Sequence, residues 1–245
     1  MPNLFKICLV LLIIFVPHFS VASTSDSLQQ IASQDSASRE ASVFAFMTAL
    51  SFIPVMVIAM TAFTRIIVVF SMLRFAFGMQ QTPPNIVLIV LSLFFTLFVM
   101  QPTLQEVEES AFEPYQQGQL TLYQATNEAA NSFKSFMISQ TREKDMKLMF
   151  DISMKPPPKL VSEISMTQLI PAFMLSELRT AFQIGFVLFL PFLMIDLIVA
   201  GTLMSLGMIM VPPMTIAMPL KILVFVLVDG WSLVSRSLLG SFSIF

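Results

Sequence analysis

Two charged residues, Asp196 and Lys221, stand alone within long apolar segments near the end of the sequence. Placing such a charge at the centre of a membrane helix costs roughly 2.5 to 3.5 kcal/mol on insertion scales. The two residues lie at comparable distances on either side of a turn at residues 207–213. We therefore predict that a hairpin brings them together as an ion pair, in one chain or with a neighbouring subunit. A proton relay is the alternative chemistry for the same two groups.

Asp196 and Asp229 are also the candidate pair for an intramembrane aspartyl protease, which needs two facing carboxylates. Asp229 lies near the end of its apolar segment, however, whereas Asp196 lies nearer the middle of its own. This mismatch in depth disfavours the protease, and we predict that the chain is not an enzyme.

Thiol and imidazole chemistry is confined to the start of the sequence, where the single cysteine, Cys8, and the single histidine, His18, are found. Residues 1–23 have the basic start, short apolar core and small-residue end of a cleaved secretory signal peptide. An uncleaved anchor is the alternative. Cleavage would remove both residues, and with them most metal sites and catalytic triads. We predict no metal and no cofactor.

The turn between the two charges is lined with apolar residues, Met208, Ile209 and Met210, and contains no polar side chain. A helix cannot continue through Pro212 and Pro213, because the prolines remove backbone donors and push the preceding residue out of the α region. Backbone outside a helix is tolerated at membrane depth only when it is buried in protein or lines a cavity. The turn therefore indicates a pore or gate. Ordinary core filling by methionine is the alternative.

The composition indicates an integral membrane protein of all-α class. Hydrophobic residues make up 56% of the chain and charged residues 11%, and the mean hydropathy is +0.83, whereas soluble domains carry roughly 25% charged residues. With no basic stripe, nothing indicates a nucleic-acid partner.

The order of apolar and polar stretches predicts two helical hairpins separated by a polar segment. A disordered lead-in (24–42) precedes a first apolar hairpin (43–102), whose second run ends at Pro102. A polar, extracytoplasmic segment of amphipathic helices (103–165) follows, in which the charges at 142–147 form a solvated helix face. The second hairpin (166–245) contains the turn with Met208, Ile209 and Met210, hereafter the methionine turn, which follows Gly207. A last apolar run at 214–233 completes this hairpin.

The turns of the two hairpins share a pattern. Gly78-Met79 precedes Pro83-Pro84, as Gly207-Met208 precedes Pro212-Pro213. Internal duplication and coincidence both remain open as explanations of so short a match.

Four stretches resemble the FliP family of flagellar type III export-gate proteins. They read FTRIIVVFSMLR (63–74), QQTPPN (80–85), FMLSEL (173–178) and GMIMVPP (207–213). The resemblance implies a homo-oligomer of about five copies, built with FliQ-like and FliR-like subunits into a closed helical channel. Further expected partners are FlhB-like and FlhA-like export components, the membrane and unfolded protein substrates. The implied location is the flagellar basal body in the bacterial inner membrane, with the core displaced toward the periplasm.

The resemblance also assigns roles to residues. Met208, Ile209 and Met210 correspond to a gasket that seals the pore at rest, although Ile209 departs from the all-methionine form. We further predict that six charges are buried and serve assembly: Arg65, Arg74, Glu177, Arg179, Asp196 and Lys221.

Two other functions remain possible from the sequence. Paired hairpins with broken helices are also typical of secondary transporters and ion channels for small solutes, but such proteins line their route with polar groups, and this turn is apolar. A structural scaffold would leave the methionine turn dispensable.

Overall fold

The computed structural model describes residues 43–44, 47–48, 51, 54–56, 58–79, 81–154, 163–208 and 210–242. The predicted signal peptide (1–23) and lead-in (24–42) lie outside these residues. The chain divides into two compact units, Met1–Phe52 and Ile53–Phe245, and the helices discussed below all belong to the second.

The second unit is built from helices, and no strand occurs in the part of the chain that is described. They are α1 (Phe63–Ala76), α2 (Asn85–Val107), a π-helical turn (Glu108–Phe112), α3 (Glu113–Gln116), α4 (Leu122–Gln140), α5 (Glu143–Ser153), α6 (Met166–Ser205), α7 (Pro213–Leu227) and α8 (Gly230–Leu239). The all-α class predicted from the sequence is confirmed.

Two stretches of the described residues are long and apolar enough to cross a membrane. They are Asn85–Gln116, which combines α2 with the π-turn and α3, and Met166–Ser205, which is α6. Up to four spans result if each of two bent helix pairs is counted as one span. The 40-residue α6 extends about 60 Å at 1.5 Å per residue, twice the thickness of a hydrocarbon core.

Helix α1 lies at the centre of the unit and runs parallel to α6. Arg65 contacts Glu177 near the start of α1, and Met72 packs on Gly185 in its middle. At the end of α1 the rings of Phe77 and Phe192 lie 5.0 Å apart. Helix α6 then continues for 13 further residues to Ser205, where it leads into the second turn.

Two boundaries differ from those expected. Helix α2 does not end at Pro102 but runs through it to Val107, so the predicted boundary between the first hairpin and the polar segment falls inside a helix. A proline removes only one helical hydrogen bond, and the rest of a long helix can absorb that loss.

The last apolar run, expected at 214–233, is not one helix. It bends by 69° between α7 and α8, where Asp229 adopts a left-handed conformation with φ of 50°. Aspartate is among the residues that tolerate this region, and Gly230 lets the chain lie directly against the ring of Phe225.

Gly185 permits the close approach of α1 and α6. A Cβ added there would stand 2.3 Å from Met72 Sδ and 3.1 Å from Met72 Cβ, whereas one added at Gly201 of the same helix would meet nothing within 4 Å. We predict that Gly185→Val destabilises the protein by about 1 to 3 kcal/mol through overpacking. Gly201→Ala should be neutral or stabilising by up to about 1 kcal/mol.

Thermal unfolding in detergent measures both changes. Adding Met72→Ala to Gly185→Val should recover part of the loss, because it removes the clashing side chain. Equal effects at the two glycines would show that the helices do not meet at Gly185.

Candidate gate turn and the ion pairs that support it

The methionine turn begins where α6 ends in a hydrogen-bonded C-terminal cap. Gly207 has φ of 73°, and its N–H donates to the carbonyl of Met204 at 3.1 Å. The N–H of Met208 donates to the carbonyl of Leu203 at 3.0 Å. This is the Schellman arrangement, in which glycine supplies the left-handed residue without a steric cost. Because α7 then begins with Pro213, the turn is fixed at both ends.

The apolar side chains of this turn point away from the rest of the chain. Met210 is 97% exposed, Met208 is 44% exposed and Leu206 is also exposed. Ile209, the third predicted gasket residue, lies outside the described residues. The result is an apolar tip on a hydrogen-bonded base, at the end of the longest helix described.

The first turn is built in a similar way. Gly78 has φ of 80°, and its N–H donates to the carbonyl of Phe75 at 2.9 Å. Pro83 follows a cis peptide bond, and Pro84 is the residue before α2. A Cβ added to Gly78 would lie 3.0 Å from Met214 Cε, so the start of α7 packs against this turn. The repeated pattern in the sequence thus corresponds to two turns that share a left-handed glycine.

Lys221 and Asp196 are in contact, as expected for a hairpin closed by the methionine turn. Lys221 Nζ lies 2.7 Å from Asp196 Oδ2, and the lysine is buried. Nζ also donates to the carbonyl of Ala76 at 2.9 Å. That carbonyl is in the last turn of α1, where the helix dipole favours a cation. One ammonium group therefore joins α7 to both α6 and α1.

The pair is not symmetrical. The Asp196 side chain keeps 36% exposure, yet its Oδ1 is buried and has no hydrogen-bond partner among the described residues. A buried oxygen without a donor is costly, so the carboxylate is only half compensated within this chain.

Arg65 forms the most complete polar site, with all five guanidinium N–H groups engaged. Nε donates to Glu177 Oε2 at 2.9 Å, and Nη2 donates to Glu177 Oε1 and to Gln140 Oε1. Nη1 donates to the backbone carbonyl of Ser241 at 2.9 Å and to its Oγ at 3.0 Å. The ring of Phe242 covers the guanidinium, with its centroid 3.9 Å from Cζ. Both charges are buried, Arg65 with 2% exposure.

A third set of polar contacts docks α5 onto α6. Asp145 is buried, and its carboxylate accepts from Ser176 Oγ at 2.8 Å and pairs with Arg179 at 3.0 Å. The backbone N–H of Arg142 donates to the same serine hydroxyl at 3.0 Å. The run 142–147 is thus not wholly a solvated face, because the first turn of α5 points its aspartate into the α6 contact.

The six predicted charges divide into three groups. Arg65, Glu177 and Lys221 are buried, and Asp196 is half-buried beside Lys221. Arg74 is half-buried and bonded to Asn85 Oδ1, with its Nε unpartnered among the described residues. Arg179 was predicted to be buried, but it is exposed.

The Arg179 side chain is 51% exposed because only its tip reaches Asp145. The sequence alone does not single out five further residues of these polar sites: Gln140, Asp145, Ser176, Ser241 and Phe242. No group of three or more His, Cys, Asp or Glu residues in the described part could hold a metal ion.

The helices and their internal ion pairs define a helical protein of membrane-spanning type. A family model described as the FliP family matches residues 46–238. The flagellar biosynthetic protein FliP of Bacillus subtilis (strain 168) is 47% identical over 196 residues, which cover 80% of this chain and 89% of that protein. The chain belongs to the FliP family.

Other relatives agree. The flagellar biosynthetic protein FliP of Cereibacter sphaeroides is 50% identical over 200 residues, 82% of this chain and 66% of that protein. The corresponding protein of Aquifex aeolicus (strain VF5) is 43% identical over 199 residues, 80% of this chain and 83% of that protein.

The Asp196–Lys221 pair yields a thermodynamic prediction. Removing one partner of a buried pair costs about 3 to 5 kcal/mol, and the exposure of Asp196 places the loss for Lys221→Ala at the lower end. Asp196→Ala should also destabilise, because it leaves the buried ammonium with only the Ala76 carbonyl. The double variant should lose less than the sum of the single losses.

Unfolding in detergent tests this, with Lys147→Ala, which removes an exposed charge on α5, as the control that should change little. Strictly additive losses would mean that the two charges act separately.

Proposed function

We propose that this chain is a pore-forming subunit of the flagellar type III protein export gate, and that the turn at 207–213 seals the channel at rest. Its substrates are unfolded flagellar proteins that cross the bacterial inner membrane. The proposal places the subunit in the basal body, with its core displaced toward the periplasm, and gives it no catalytic role. The names of its relatives, flagellar biosynthetic proteins, support this assignment.

The observation that carries the sealing role is the exposed apolar tip. Met208 and Met210 project from a turn that is fixed by a Schellman arrangement and two prolines, so their position is set by the backbone. Several copies of such a tip around one axis form an apolar constriction, which excludes water and ions by dewetting. Methionine is unbranched and adaptable, so the same side chains can yield to a passing polypeptide.

The exposed apolar faces of α6 and α7 support assembly with other subunits. Large side chains stand exposed along both helices, among them Phe182, Phe186, Leu197, Leu223 and Val226. Contiguous apolar surface of this kind marks a protein or membrane interface. In the proposed gate about five copies, with FliQ-like and FliR-like subunits, cover these faces, and FlhB-like and FlhA-like components complete the export apparatus.

Assembly is tested by extraction. We expect the chain expressed alone to form a heterogeneous oligomer, because its apolar faces lack their partners, and a monodisperse particle to form on co-expression with FliQ-like and FliR-like subunits. Size-exclusion chromatography with light scattering measures the mass. A stable, monodisperse monomer would contradict the proposal.

The sealing role is tested by the triple variant Met208→Ala, Ile209→Ala, Met210→Ala. This change widens the constriction without removing a charge or a helix. We expect the complex to assemble on a native gel, while ions and small solutes leak through it in planar bilayers and cells become sensitive to a small impermeant solute.

The matched control is Met154→Ala, which truncates an equally exposed methionine at the end of α5 and should leave the complex tight. Assembled triple-variant complexes as tight as the parent would disprove the seal. Conductance selective for one small solute in the parent would instead favour a transporter.

A further inference from the structure

The C-terminal turn folds back onto the centre of the molecule. Helix α8 ends at Leu239, and the next residues form a tight turn in which the N–H of Phe242 donates to the carbonyl of Leu239 at 3.2 Å. This turn presents the carbonyl and hydroxyl of Ser241 to Arg65 and lays the ring of Phe242, which is 1% exposed, over the guanidinium. We propose that Ser241 and Phe242 form a C-terminal latch, which closes over Arg65 and locks α8 to α1, α4 and α6.

The chemistry of Arg65 explains why the latch would hold. Its charge is already balanced by Glu177, so the tail adds no charge; it supplies two acceptors for Nη1 and an aromatic cover. With the tail released, two N–H groups and one face of the guanidinium would lack protein partners. A desolvated cation–π contact and hydrogen bonds to a charged donor are among the stronger single interactions in proteins.

The bend between α7 and α8 sets the direction in which α8 leaves α7. The chain turns by 69° at Asp229 and Gly230. The buried side chains of α8, Val234 and Leu238, belong to the same hydrophobic core as the buried residues of α1. The left-handed conformation of Asp229 has a steric cost that the docking of α8 must offset.

The order of the segments gives the latch a role in maturation. Arg65, Gln140 and Glu177 all precede residues 241 and 242 in the sequence, so they can form a site that is completed only when these two residues are made. Closure then fixes α8, and with it the distal end of α7. The latch thereby couples synthesis of residues 241 and 242 to the joining of the two hairpins. This inference does not depend on the proposed gate.

Cysteine labelling of the full-length chain in detergent tests the latch. In a Cys8→Ser background, Val234→Cys reports on α8 and Ser132→Cys reports on α4; both positions are buried. We expect Phe242→Ala to raise the maleimide labelling rate at position 234 by about 10- to 30-fold, the change that corresponds to losing a desolvated cation–π contact. The rate at position 132 should stay within about twofold of the parent, because the opening is local.

Three further variants make the test specific. Phe242→Tyr keeps the ring and should label at the parent rate. Ser241→Ala removes only one acceptor of Arg65 Nη1, so it should open the latch less than Phe242→Ala does. Leu233→Ala removes an exposed side chain of α8 and should change neither rate.

Acceleration at position 234 alone, in Phe242→Ala and Ser241→Ala but not in Phe242→Tyr or Leu233→Ala, would establish the latch. Equal acceleration at both reporters would show general instability and overturn it. An unchanged rate at position 234, or the same response to Leu233→Ala, would also overturn it.

Discussion

The buried guanidinium of Arg65 constrains the arrangement of the whole second unit. An ionised group without water must have every donor satisfied, because each unmet donor and any uncompensated charge is expensive. Arg65 meets this condition only if Glu177 on α6, Gln140 at the end of α4 and Ser241 after α8 all converge on one short helix. Because the five donors form a rigid planar fork, the partners must be correct in direction as well as in distance. The fork thus explains why α1, a helix of only 14 residues, lies at the centre of the fold.

The Asp196–Lys221 pair places fewer geometric constraints on its partners than the Arg65 site does. The ammonium of Lys221 is a point charge on a long stem, and it needs only nearby oxygens, which Asp196 and the end of α1 supply. It fixes the middle of α7, whereas Arg65 fixes the far end of α8. Each site therefore holds one helix of the bent α7–α8 pair against the same central helix. Between them the chain bends at Asp229, where few buried side chains restrain it.

Contacts between residues near in sequence could be predicted, whereas contacts between residues distant in sequence could not. Residues close to one turn can be placed from the sequence. Gly207 and Pro212 predicted the hairpin turn, and the similar spacing of Asp196 and Lys221 on either side of it predicted their contact. The Arg65–Glu177 contact spans 112 residues, and nothing in the intervening stretch indicates it. Asp145 was hidden for another reason. Its neighbours at 142–147 are mostly exposed charges, and only docking against Ser176 distinguishes the one that is buried. The bend at Asp229 was missed although Asp229-Gly230 is a dipeptide typical of turns, because it lies within an apolar run long enough to be read as one helix.

An exposed methionine is not in itself a functional signal, as the two most exposed methionines among the described residues show. Met154 and Met210 are both almost fully exposed, and both follow a helix end. Met154 itself adopts the left-handed conformation, with φ of 52°, between Ser153 and Lys155, in the manner of an ordinary surface turn. At the methionine turn the left-handed position is given to Gly207, and every residue from Met208 to Pro213 is apolar. In a solvated loop the apolar run 208–213 would not stabilise the protein, because apolar area gains free energy only when it is removed from water. The difference between the two turns therefore lies in the run of neighbours and in the glycine that leaves the methionine side chains free to form the tip.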